Sequence, residues 1–103
     1  MINSRIHYNK KKLSRFCREN SIARLAVFGS AAKGGFSDKS DLDILVDFQS
    51  GSRIGLLKFL DIEESLCDIF SCTASIDLIT RNALSPYLRD DILKSCVVLY
   101  EEG

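Results

Sequence analysis

Two aspartates with one residue between them, Asp41 and Asp43, open an apolar run in this 103-residue chain. Side chains alternate along an extended strand, so carboxylates at positions i and i+2 point to the same face. Their Cα atoms are then roughly 6.5–7 Å apart, at about 3.3 Å of rise per residue. Two carboxylates at this separation can bind one Mg²⁺, or a pair of ions about 3.5–4 Å apart. The spacing therefore predicts a magnesium site at the start of a strand.

A glycine–serine pair, Gly29 and Ser30, follows a second apolar run, Leu25-Ala26-Val27-Phe28. Glycine at a strand-to-helix turn lets the backbone approach a ligand closely. Amides at the start of a following short helix, the serine hydroxyl and the helix dipole together favour a phosphate group. Either motif alone is usually only a turn or a solvated loop edge. Their occurrence together, each at the end of an apolar strand, favours a site for phosphate and metal.

The remaining pattern predicts a small α/β (α+β) domain, with a mixed sheet of three to four strands flanked by about four helices. In the second strand the alternate residues that point away from the acids are all apolar and are expected to face the core: Leu42, Ile44, Val46 and Phe48. The long helix has apolar residues at a period near 3.6 and should pack across the sheet; these are Leu56, Leu57, Leu60, Leu66, Ile69 and Phe70. The predicted elements are helices over about 10–19, 54–71 and 86–95, and strands over 22–28, 41–48, 75–80 and 97–100.

Asp77 stands near the start of the predicted third strand. An isolated aspartate in such a place is usually only a strand-end residue. The preceding helix can, however, return the chain beside the second strand and bring Asp77 next to Asp41 and Asp43 as a third acid. Two other nearby acids, Asp38 in the loop and Asp47 further along the strand, are expected to lie outside the site.

The bulk composition limits the functional classes. Fourteen basic and fourteen acidic residues give a net charge of zero, so no overall field attracts nucleic acid. A local basic cluster, Lys10-Lys11-Lys12 with Arg15 and Arg18, is either a solvated helix face or a patch for phosphate or a partner. With 46% hydrophobic residues, we expect one domain over residues 1–103, with a modest core and no separate acceptor-binding domain.

Cysteine spacing and hydropathy predict a reduced, cytoplasmic protein. The four cysteines form no C-x-x-C pair and are accompanied by one histidine, His7, so a zinc site is not expected. No signal peptide and no apolar run of 18 residues is visible, so no membrane association is expected.

The run Phe28-Gly29-Ser30, followed after ten residues by Asp41-Leu42-Asp43, resembles the signature of the DNA polymerase beta-like nucleotidyltransferases. It is most similar to the minimal nucleotidyltransferases of prokaryotes, which are often paired with a HEPN-domain protein as the antitoxin of a toxin–antitoxin system. This resemblance implies the nucleotidyltransferase fold, with Mg²⁺, two ions being expected, and ATP as substrate. Lys33-Gly34 stands where many members have Arg-Gly, which keeps the positive charge but loses the bidentate fork.

The resemblance also implies residue roles. Asp41, Asp43 and Asp77 are expected to bind metal and to be catalytic. Gly29, Ser30 and Lys33 are expected to bind the nucleotide.

The reaction implied by the resemblance is attack of an acceptor hydroxyl on the α-phosphate of ATP, with release of pyrophosphate. The acceptor expected from the HEPN-paired branch is a tyrosine of a partner ribonuclease toxin, which AMP transfer would neutralise. Alternatives are a non-catalytic module that masks the toxin, a bare nucleotide sensor, or transfer to a hydroxyl of a small molecule or an RNA. The neutral charge and the lack of an acceptor domain argue against long nucleic acid.

Overall fold

The structure is a computed structural model that describes residues 8–29, 42–70 and 76–102. These residues form four strands, three α-helices and one 3₁₀ turn, so the predicted mixed α/β class is confirmed. The predicted short helix after Ser30 lies outside the described residues. In chain order the elements are α1 (Lys10–Glu19), β1 (Ile22–Phe28), β2 (Leu42–Phe48), α2 (Leu56–Phe70), β3 (Ile76–Thr80), the 3₁₀ turn (Arg81–Ala83), α3 (Pro86–Ser95) and β4 (Val97–Glu101).

The four strands form one mixed sheet in the order β3-β2-β1-β4. Strand β1 runs antiparallel to both β2 and β4. Strands β2 and β3 are parallel, and α2 makes the connection between them. This crossover returns the chain to the side of β2, as the sequence predicts for the strand that contains Asp77.

The main core lies on the sheet face that α1 and α2 cover. Leu42, Ile44 and Val46 of β2 are fully buried there, and Phe48 is partly buried against the same cluster. The predicted inward face of β2 is therefore confirmed. Helix α1 contributes Leu13 and Cys17, which are also fully buried.

A second, smaller cluster lies on the opposite face of the sheet, the one that carries the aspartates. It consists of Phe28 of β1, Leu45 of β2 and Leu84, which precedes α3. The partly buried side chains that pack against it come from β3 and from α3 with the residue that follows it; they are Ile79, Ile92, Leu93 and Cys96. Helix α3 therefore covers part of the acidic face.

The predicted apolar stripe of α2 is wrong in its first turns. Leu56, Leu57 and Leu60 are 74%, 80% and 48% exposed. The buried residues of this helix are Ile62, Leu66, Ile69 and Phe70. The helix packs on the sheet through these residues and through Phe59, which is partly buried against the same cluster with its ring centroid 6.4 Å from that of Phe48.

Helices α1 and α3 both begin after residues of types that favour the N-cap position, but the two caps are used differently. The side chain of Asn9 accepts a hydrogen bond from the amide of Lys12 at 3.0 Å, as expected for an N-cap. Ser85 stands at the cap of α3 before Pro86, but only its carbonyl is used, accepting from the amides of Leu88 and Arg89. None of the helices in the described parts of the chain has the length and apolar character needed to cross a membrane.

Candidate active site

Asp43 and Asp77 occupy paired positions on neighbouring strands. In the parallel pair of β2 and β3, Asp43 lies opposite Asp77, with Leu42 opposite Ile76 and Ile44 opposite Leu78. Paired residues on neighbouring strands point to the same face, and the strands are about 4.8 Å apart. The two carboxylates therefore stand side by side on one face of the sheet. The structure brings together these two acids, which are 34 positions apart in the sequence.

Gly29 completes this corner of the sheet from the other side of Asp43. Phe28, the last residue of β1, pairs with Asp43 in the antiparallel ladder. The next residue, Gly29, has φ of +69°, a conformation that favours glycine. A Cβ placed on it would lie 2.5 Å from Oδ2 of Asp43. The glycine is thus in close contact with the carboxylate, and both its backbone angle and its lack of a side chain are needed.

Three of the six predicted site residues, Gly29, Asp43 and Asp77, therefore meet at one corner of the sheet. The other three, Ser30, Lys33 and Asp41, lie outside the described residues. Within the described residues the site is a row across three strands, running from Asp77 through Asp43 to Gly29. Asp77 is exposed and Asp43 is partly buried.

The chemistry of this pair fits magnesium. Among the described residues no group of three or more histidine, cysteine, aspartate or glutamate side chains could hold a metal ion. Mg²⁺ is usually bound through one or two carboxylates together with substrate phosphates, because it retains several waters and rarely has a cage made only of protein. Two adjacent carboxylates beside a glycine turn match that requirement.

Asp47 lies on the same face of β2 but forms an ion pair outside the site. Its Oδ2 accepts a hydrogen bond from the Arg81 guanidinium at 2.8 Å. This ion pair links β2 to the 3₁₀ turn at the end of the strand away from Asp43. Asp47 is thus held apart from the acid pair, as expected from the sequence, although the sequence pattern does not identify Arg81 as its partner.

A groove beside the acid pair was not identified from the sequence. It has a volume of about 280 Å³ and is lined by one side of α3 and by the end of β1. The lining residues are Phe28, Gly29, Leu88, Asp91, Ile92 and Ser95. The spacing of the last four, i, i+3, i+4 and i+7, is the signal that places them on one side of the helix.

A larger cavity, of about 550 Å³, lies between α1 and β4, away from the acids. It includes Lys10 and Arg18 of the basic cluster but none of the predicted site residues. Arg15 of the same cluster forms an ion pair with Glu19 on the helix surface.

Known proteins match almost the whole chain. The family model for polymerase beta nucleotidyltransferases matches residues 11–103. A candidate protein adenylyltransferase from Methanocaldococcus jannaschii is 34% identical over 92 residues, which cover 88% of this chain and 87% of the relative. The protein adenylyltransferase MntA of Thermococcus cleftensis is 33% identical over 76 residues, covering 74% of this chain and 73% of the relative.

The fold is also found in a solved toxin–antitoxin complex. A chain of the complex between the tri-AMPylated HEPN toxin of Shewanella oneidensis and its MNT antitoxin superposes with a TM-score of 0.60. The match covers 90% of this chain and 70% of that chain at 17% identity. At this identity the likeness establishes a shared fold.

Proposed function

This chain belongs to the polymerase beta nucleotidyltransferase family and is a nucleotidyltransferase, and from that premise we propose that it transfers AMP from ATP to a hydroxyl of a partner protein. The acceptor is a tyrosine of a HEPN-domain ribonuclease toxin, which the transfer neutralises, so that the chain acts as an antitoxin. The observation that carries the proposal is the pairing of Asp43 with Asp77 beside Gly29.

The choice of AMP and of a protein acceptor rests on the relatives. Proteins that share about a third of their residues with this chain over most of their length are named protein adenylyltransferases. The solved complex with the same fold contains a HEPN toxin that carries AMP groups. Transfer of AMP to a partner toxin is therefore the activity that the sequence relatives and the fold support together.

In the proposed reaction the phenol oxygen of the acceptor forms a bond to the α-phosphorus of ATP. The bond from that phosphorus to the oxygen bridging to the β-phosphate breaks, and pyrophosphate leaves. The Asp77 carboxylate takes the phenol proton as general base. Magnesium held by Asp43 and Asp77, with Asp41, would neutralise the charge of the phosphates. Gly29 and Ser30 bind the β- and γ-phosphates, and Lys33 adds positive charge beside them.

The position of Asp77 suits an acceptor supplied by another protein. Strand β3 is at the edge of the sheet, and the Asp77 side chain is exposed. Gly29 lies on the other side of Asp43, towards β1. A leaving pyrophosphate at Gly29 and an attacking hydroxyl at Asp77 would lie on opposite sides of the reacting phosphorus, which in-line phosphoryl transfer requires.

We also place this activity in the cytoplasm. Cys17 is a buried free cysteine, and free buried cysteines are common in proteins of a reducing compartment. ATP and a ribonuclease toxin with its RNA substrates would meet the enzyme there.

The experiment is an intact-mass measurement of the co-expressed HEPN partner after incubation with this chain, ATP and Mg²⁺. The partner should gain one or more AMP units, located on tyrosine by peptide mapping. Asp43→Asn and Asp77→Asn should abolish the gain, because each removes a charged oxygen at the phosphates. Asp47→Asn is the matched control, since it makes the same change on the same strand and face, four residues from Asp43.

The same experiment separates the alternatives. A stable complex that forms equally well with Asp43→Asn and silences the toxin without any gain in mass would assign masking instead of catalysis. Nucleotide binding without pyrophosphate release would assign a sensor. A partner that remains unlabelled while a small molecule or an RNA end is labelled would overturn the protein acceptor.

A further inference from the structure

We propose that the groove between α3 and the Gly29 turn binds the nucleoside end of the substrate, with the Asp91 carboxylate accepting a hydrogen bond from a ribose hydroxyl. The inference rests on the proposed use of ATP and assigns a substrate-binding role to residues outside the family signature. It makes α3 a determinant of specificity for the sugar.

The groove lies next to the proposed phosphate and metal site. Gly29 is shared between the two parts of the site, since it is in contact with Asp43 and also lines the groove. A nucleotide whose phosphates lie at Gly29 and Asp43 therefore has the groove within reach of its remaining atoms. The acceptor side, at Asp77 on β3, is separated from the groove at β1 by strand β2.

Charge decides which end of the nucleotide enters the groove. Asp91 carries a carboxylate, and at close range a carboxylate repels phosphate groups. Within the described parts of the chain no side chain or amide donates a hydrogen bond to this carboxylate. The nucleoside, which is uncharged and rich in hydrogen-bond donors, is the part of the substrate that fits beside Asp91.

The polar side chains that line the groove, Asp91 and Ser95, offer acceptors. The Ser95 hydroxyl donates its proton to the carbonyl oxygen of Asp91 at 2.8 Å, so its oxygen remains available only as an acceptor. An ionised aspartate is also an acceptor only. A ligand must therefore bring donors, and the 2′- and 3′-hydroxyls of ribose are adjacent donors on one edge of the nucleoside.

The apolar part of the groove suits a planar base. Leu88 is 55% exposed on the groove side of α3, and Ile92 lies one turn further along, partly buried. Together with Phe28 they form the apolar part of the groove lining. The volume of about 280 Å³ is at the lower limit of ligand clefts, so it accommodates one part of the nucleotide and leaves the phosphates outside.

The test compares the binding of a non-hydrolysable ATP analogue with that of its 2′-deoxy and 3′-deoxy forms, by calorimetry in the presence of Mg²⁺. The native chain should bind the ribose form roughly tenfold more tightly than whichever deoxy form has the lower affinity. A tenfold loss of affinity is expected when one hydrogen bond to an exposed charged acceptor is removed. Asp91→Ala should bind all three forms with equal affinity. Asp90→Ala is the matched control, because Asp90 is the neighbouring exposed acid and does not line the groove.

A second variant tests the apolar wall. Leu88→Ala should weaken the binding of the ribose and deoxy forms by the same factor, several-fold, because it removes contact with the base and leaves the ribose contact in place. Leu57→Ala, at a more exposed leucine on α2, should leave binding unchanged.

The possible outcomes distinguish a failure of this inference from a failure of the proposed function on which it rests. If the native chain transfers AMP but Asp91→Ala retains the preference for ribose, the assignment of the groove is wrong and the proposed function stands. Equal binding of the ribose and deoxy forms by the native chain leads to the same conclusion. If the native chain binds no nucleotide with Mg²⁺, the proposed function itself fails.

Discussion

Gly29 and Asp43 are in contact across the β1–β2 pair so closely that a single methyl group on the glycine would reach Oδ2 of the aspartate, at 2.5 Å. The glycine also has a positive φ of +69°. The contact couples the turn that is proposed to bind phosphate to the carboxylate that is proposed to bind metal. A side chain added at position 29 must therefore displace the Asp43 carboxylate.

Gly29→Ala should reduce both stability and AMP transfer. A side chain at positive φ costs roughly 1–2 kcal/mol, and the new methyl group would also push the Asp43 carboxylate out of position. Gly51→Ala is the matched control, because Gly51 has φ of +83° and a methyl group placed there would meet nothing within 4 Å. Urea unfolding should show a loss for both variants, while the transfer rate should fall at least about tenfold for Gly29→Ala alone. Unchanged transfer by Gly29→Ala would contradict the assigned role of this contact.

The leucines of α2 should differ sharply in their effect on stability. Leu66 is fully buried, so Leu66→Ala should lower the free energy of unfolding by about 2–5 kcal/mol. Leu57 is 80% exposed, so Leu57→Ala should change it by less than about 0.5 kcal/mol. Thermal or urea unfolding of the two variants measures the difference. A large loss for Leu57→Ala would show that the first turns of α2 are buried in the protein.

Glu63 should stabilise the β3 edge of the sheet. Its Oε2 accepts a hydrogen bond from the backbone amide of Leu78 at 3.4 Å, and β3 is the outermost strand on that side. Glu63→Ala should lower the free energy of unfolding by roughly 0.5–1.5 kcal/mol and raise the tendency to aggregate, because it uncovers a strand edge. Glu64→Ala, at the next and more exposed position, should have a smaller effect. Equal effects of the two variants in urea unfolding and light scattering would exclude a specific role for Glu63.

Stability should decrease in alkali through Cys17. Burial raises the pKa of this thiol from 9.0 to about 12. Above about pH 9 the unfolded chain loses the proton while the folded chain keeps it, so the free energy of unfolding falls as pH rises towards 12, by up to roughly 1.4 kcal/mol per unit. Below pH 9 this contribution is constant. Cys17→Ala should flatten the slope measured by urea unfolding across this range, and an unchanged slope would assign the alkaline loss to other groups.

Most of the fold could be predicted from the sequence because local signals agree with one another. In β2 the polar Asp43 and Asp47 alternate with the buried Ile44 and Val46 and so mark the two faces of the strand, and Asn9 marks the start of α1 through its capping hydrogen bond. The pairing of Asp77 with Asp43 depends on a long-range contact, but the length of α2 limits where the next strand can lie. These predictions succeed where the local pattern and the topology permit only one arrangement.

The predictions from the sequence fail where tertiary packing determines which side of a helix is buried. At about 100° per residue, Leu57 and Leu60 lie roughly 140° and 160° around α2 from Ile62, so all three cannot be buried on the same side. The sequence pattern identifies an apolar helix but not the side that meets the sheet. The groove on α3 was missed for a similar reason, since Asp91 becomes part of a site only when the helix is placed against Gly29.

The parallel pairing of β2 and β3 also has a consequence for folding. The antiparallel strands β1 and β2 follow each other in the chain and can pair without the help of α2, but Asp77 reaches Asp43 only after the whole crossover has been completed. Contacts of this long range are made late, because the entropy of closing the loop is lost before the contact compensates for it. A chain that has folded only in part therefore lacks the acid pair, and regain of enzymatic activity during refolding reports the arrival of β3 beside β2.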